Sequence, residues 1–146
     1  MEAISNIIAP LLRVFPGGEE ADIAQRVLRF VVDHSTTTHI DLQLVRQIVP
    51  EAAAGAYDRQ ILRTLQYLAG DAAKALEVRF EMIRSDDDII QLEPTDVQEI
   101  RQHLVDPVSG EEDPTILERI IIYFSPTDLF LQMIIEEHAR DEGAKS

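Results

Sequence analysis

The hydrophobic period of this chain changes within one stretch, residues 57–100, and the change dictates a helix followed by a hairpin. Ile61, Leu62, Leu65 and Leu68 recur every three or four residues, the spacing of one helical face. From Leu76 the period is two: Leu76, Val78, Phe80 and Met82 alternate with Glu77, Arg79 and Glu81, the pattern of a strand with one wet face. Arg84, Ser85, Asp86, Asp87 and Asp88 make a polar turn, Ile89 to Leu92 a returning strand, and Glu93-Pro94-Thr95 the start of another helix, with Thr95 and Gln98 at capping-box spacing.

The first third is helical. Ile4, Ile7, Ile8, Leu11, Leu12 and Phe15 share a helical face, and Pro16-Gly17-Gly18 breaks it. Ile23, Val27, Phe30 and Val31 give a second amphipathic helix over residues 19–34, with acids in its first turn. Residues 37–40 are expected to supply a short first strand. Asp41 then caps a helix carrying Leu42, Val45, Ile48 and Val49, which Pro50 helps to end, and the next helix begins near Tyr57, with Gly70 suited to its C-terminal cap.

Asp106-Pro107, Ser109-Gly110 and Asp113-Pro114 make residues 105–115 a loop. A strand is expected over residues 118–124, then a last helix from Thr127 to about Asp141, with Ser125 as its N-cap and Pro126 in its first turn, and a frayed tail beyond.

This order of elements resembles the winged-helix superfamily over residues 19–102. The resemblance implies an α+β fold: an N-terminal amphipathic helix (1–18), a winged-helix-like domain (19–104), and a loop, strand and helix (105–146) that pack on that domain or on a partner. Winged helices include DNA readers, which use the third helix, and protein-binding modules.

The 146 residues include no cysteine, which rules out a thiolate nucleophile, a Cys-ligated zinc and any disulfide framework, and agrees with a cytoplasmic protein. Glu2 stands where a secretory leader carries basic residues, and no apolar run approaches the roughly 20 residues that cross a bilayer, so neither a leader nor a membrane span is expected.

The net charge is −14, and its distribution is uneven. Residues 1–55 carry −3, residues 56–84 carry +1, and residues 85–146, with sixteen acids against four bases, carry −12. Such a field repels polyanions at long range. The wing tip sharpens the point, because Asp86, Asp87 and Asp88 stand where a DNA-binding wing commonly carries Lys or Arg.

The function expected is that of a non-catalytic acidic subunit or adaptor of a larger assembly. Leu129, Phe130, Leu131, Met133, Ile134 and Ile135 make the last helix apolar nearly all round, so it is central or shared with another chain. The contact residues expected are Asp86, Asp87, Asp88, Leu129, Phe130, Met133 and Ile134, the partner being a second copy or another protein of a complex. The alternative is a DNA-binding regulator: opposite its apolar stripe the third helix presents Arg59, Gln60, Arg63, Thr64, Gln66 and Tyr67, of which Arg59, Gln60, Arg63 and Gln66 can address bases or phosphates. A further alternative is an immunity protein or antitoxin that masks a basic partner.

No catalytic residue, metal or cofactor is expected. Neither G-x-S-x-G nor a glycine-rich phosphate loop occurs, and the three aspartates lack the glycine and distal glutamate of a calcium loop. Glu137, His138, Asp141 and Glu142 cluster by sequence on the last helix, as chance alone produces among 27 acids.

Overall fold

The computed structural model describes residues 2–52, 54–84 and 88–145, with side chains to Gly143. The fold is α+β, helices with a small three-stranded antiparallel sheet, an arrangement compatible with a winged helix.

The expected first helix is two. α1 (Glu2–Ile8) and α2 (Leu11–Val14) are separated at Pro10, which has no N–H to donate and restricts the residue before it. The interruption keeps Ile4, Ile7 and Leu11 buried but leaves Leu12 56% exposed, so the apolar stripe does not run its full length. Gly17 and Gly18 follow at φ 128° and 87°, left-handed values that side chains disfavour, and Gly18 caps α3 (Glu19–Asp33).

Asp41 caps α4 (Leu42–Ile48) as expected, its carboxylate accepting from Leu44 N at 2.8 Å. After a single 3-10 turn (Pro50–Ala52) comes α5 (Asp58–Leu68). Arg46 of α4 clamps Asp58 at the start of α5 through two nitrogens, Nε donating to Oδ1 at 2.9 Å. Gly70 does not end α5 in a left-handed conformation; Ala69 is the C-cap, and the positive φ falls later, at Lys74.

β1 (Leu76–Ile83) and β2 (Ile89–Leu92) form the expected antiparallel hairpin, in the register Phe80 to Leu92 and Ile83 to Ile89. α6 (Pro94–His103) is capped two residues earlier than its sequence suggests, by Glu93 and Asp96 in place of Thr95 and Gln98; Glu93 N donates to Asp96 Oδ2 at 3.0 Å. A 3-10 turn (Ile116–Arg119) leads into β3 (Ile120–Pro126).

Ser125 and Pro126 do not cap the last helix, α7 (Asp128–Lys145), because they are strand residues. Thr127 caps it, Oγ1 accepting from Phe130 N at 3.1 Å, while its own N–H donates to Ala75 O at 3.0 Å. Helical backbone continues to Lys145, beyond the end expected near Asp141.

The strand order is β2-β1-β3. Of residues 37–40 only Ile40 pairs, exchanging backbone hydrogen bonds of 2.7 and 2.8 Å with Phe124 of β3. The first strand is thus one residue long, and its partner comes from the C-terminal quarter of the chain.

The chain forms two compact units. The first is Met1–Glu77 with Phe124–Ser146; its core is built on Leu11, Val27, Leu28, Ile40, Ile61, Leu65, Leu68, Leu76 and Phe130. The second is Val78–Tyr123, with a core of Met82, Leu92, Val97, Ile100 and Ile116.

Candidate protein-interaction surface

α7 is apolar on more of its circumference than the core can cover. Phe130 is 1% exposed, and Glu137, two turns on, is 5% exposed. Glu137 is not a surface acid: its carboxylate accepts from the backbone N–H groups of Glu2 and Ala3, the latter at 3.1 Å, satisfying donors that α1 cannot pair within itself. This fixes which side of α7 faces inward.

The other side is open. Leu129 is 54% and Ile135 62% exposed. Leu131, Ile134, Ile135 and His138, spaced i, i+3, i+4, i+7, line one side of a groove of about 550 Å³, completed by Val32 and Ser35 near the C-terminal end of α3. Val32, Leu131 and Ile134 are half-buried, each packed against the core of this unit. At its end His138 Nε2 lies 3.0 Å from Glu142 Oε1, an exposed pair. Among the described residues no group of three His, Asp or Glu is placed to hold a metal ion.

The expected contact residues are therefore distributed unequally. Leu129 is free to meet a partner, Met133 and Ile134 are half-buried, and Phe130 belongs to the core, where a partner cannot reach it. Ile135 is the more exposed neighbour. Asp86 and Asp87 lie outside the described residues; Asp88 is exposed, and its carbonyl accepts from Arg84 N at 2.8 Å. Sequence periodicity did not reveal Val32 and Ser35, since nothing local ties the end of α3 to a helix a hundred residues later.

On α5, Arg59, Arg63 and Gln66 are exposed on one face together with Leu62, and Gln60 is half-buried. Arg63 stands 4.0 Å from the buried Glu20 of α3. Two residues assigned to this face from sequence are engaged inward. Thr64 is buried and donates to Gln60 O at 2.7 Å, the hydroxyl satisfying itself on its own helix; Tyr67 donates its phenol to Ile7 O at 3.2 Å.

The acids are densest in the second unit. Within Val78–Tyr123 twelve acids face four bases, a charge of −8 on 46 residues, whereas the 100 residues of the first unit carry −6. Asp113 is held below the ordinary carboxylate range by hydrogen bonds from the hydroxyl and N–H of Thr115 and by Arg119, so it stays charged. Burial pushes the Tyr123 phenol up, and it accepts from Gln91 Nε2 at 2.9 Å.

No helix among the described residues is long and apolar enough to cross a membrane. No protein-family model, no curated protein and no solved structure matches this chain.

Proposed function

We propose that this protein is a non-catalytic, acidic interaction subunit of a larger assembly, and that the outward side of α7 carries the contact. The observation that supports it is the exposure of Ile135 in an apolar groove, with Leu129 exposed on another flank, on a helix whose inward side is already satisfied. Apolar surface of this kind gains about 25 cal/mol per Å² when covered.

The same reading refines the winged-helix resemblance. In that reading the bridge of Ile40 to Phe124 stands for the first strand, and β1 and β3, neighbours in the sheet, stand for the strands of the wing. The acid is spread over the whole second unit, with a charge of −8, and is not confined to three aspartates. A unit this acidic opposes a phosphate backbone, which weighs against the DNA-reading alternative.

Affinity capture of the tagged chain, with and without nuclease, tests the assignment. A stoichiometric protein partner is expected to survive nuclease, to be lost with Ile135→Asn and to be kept with Arg63→Glu. Recovery of a defined DNA segment that Arg63→Glu abolishes would replace the adaptor reading with the regulator. A partner with a basic active site would make the protein an inhibitor of the immunity or antitoxin class.

A further inference from the structure

The α3/α7 groove restricts what can occupy it, and we infer that its occupant is an amphipathic helix with a basic outer face, contributed by another protein. The inference rests on the interaction reading above and adds the chemistry of the partner.

Shape excludes an extended segment. The groove is walled by side chains of α7, by Val32 of α3 and by Ser35 of the turn after it, and among the described residues no strand edge lines it. A strand laid there would lose water from its own N–H and C=O groups and gain no partners for them, whereas a helix brings its backbone bonds with it. The stripe from Leu131 to His138 rises about 10 Å, two turns, which suits anchors at i, i+3 or i+4, and i+7 on the incoming helix. A small polar ligand finds only the Ser35 hydroxyl and the His138 ring to orient it, fewer convergent polar groups than such sites provide.

Charge then chooses among helices. Among the described side chains of α7, Asp128, Glu136, Asp141 and Glu142 are exposed against Arg140, and on α3 the exposed Arg29 and Asp33 stand near Val32 and offset each other. A second copy seated through α7 would bring these acids against their duplicates and one charge of −14 against another. Lysines or arginines flanking the anchors of a partner helix would meet them with opposite sign and raise the association rate and selectivity.

Three synthetic peptides of roughly 16 residues test this, long enough for helix formation on binding. The first has leucines at i, i+3, i+4 and i+7 with lysines elsewhere; the second replaces the lysines by glutamates; the third keeps the lysines and replaces the leucines by serines. Binding is read by the ¹³C-methyl shifts of Ile134 and Ile135 in the full chain and by anisotropy. The first peptide alone should shift these methyls, with binding weakened about tenfold or more by Ile135→Asn, a change that leaves charge untouched. Raising the salt from about 50 to 500 mM should weaken it several-fold.

Equal binding of the lysine and glutamate peptides, equal binding to Ile135→Asn, or shifts confined to other methyls would overturn the proposal. So would a dimer in sedimentation that Ile135→Asn dissociates. A captured protein that depends on Ile135, found alongside a silent lysine–leucine peptide, would sink the helix proposal and leave the adaptor reading standing. Failure of capture as well would remove both.

Discussion

Two side chains show how single residues set this fold. Glu137 is a carboxylate of α7 spent on the N-terminus of α1, 134 residues away from Ala3 in sequence. Glu137→Ala would leave two N–H groups without their acceptor and should cost about 1–3 kcal/mol. In hydrogen exchange the Ala3 amide should lose protection first, and an unchanged Ala3 rate would refute the cap. Asp58, clamped by Arg46, is held below the ordinary carboxylate value chiefly by that side-chain hydrogen bond. The folded state therefore binds the Asp58 proton more weakly than the unfolded chain does. Its contribution is complete above the unfolded pKa of about 3.9 and is lost as pH falls through the lower folded value. Urea midpoints measured below about pH 4 should fall less steeply for Asp58→Asn than for the natural chain; parallel acid limbs would show that the clamp carries no linkage. The Asp41 cap was legible because an N-cap acts within three residues. The Glu137 cap was not, because its donors lie in α1, far away in sequence, and its own neighbours, Glu136, His138 and Arg140, make it read as part of a solvated charged face.

At the scale of elements, periodicity located α3, α5 and β1 because each carries its own amphipathic signal, and β2 followed from the polar turn before it. Periodicity failed where neighbours compete. Pro10 divided a stripe that looked continuous, and Thr127 took the capping role from Ser125 because its N–H and hydroxyl are fixed by the turn before β1, the hydroxyl donating to Lys74 O at 2.7 Å. The second unit closes around its own apolar cluster, in which Ile100 is 1% exposed. Ile100→Ala should cost about 2–5 kcal/mol through the cavity it leaves. The loss should be local, with amide exchange accelerating in β2, α6 and the 3-10 turn after it while α3 and α5 keep their protection. Equal acceleration in α3 and α5 would mean that the two units unfold as one.

For the whole molecule, composition and pattern alone determined an α+β chain without cysteine chemistry, acidic overall and most acidic after residue 84, because charge and hydrophobic period are properties of residue order. The apolar excess of the last helix was also readable there. Which side of that helix is left open was decided by tertiary structure: Phe130 fills the core, Glu137 binds the start of α1, and Val32 of α3 and Ser35 of the turn after it complete the groove. The pairing of Ile40 with Phe124, 84 residues on, was settled in the same way. Hydrogen bonds and burial between segments this far apart leave no periodic trace in either one, so the folded chain alone joins them.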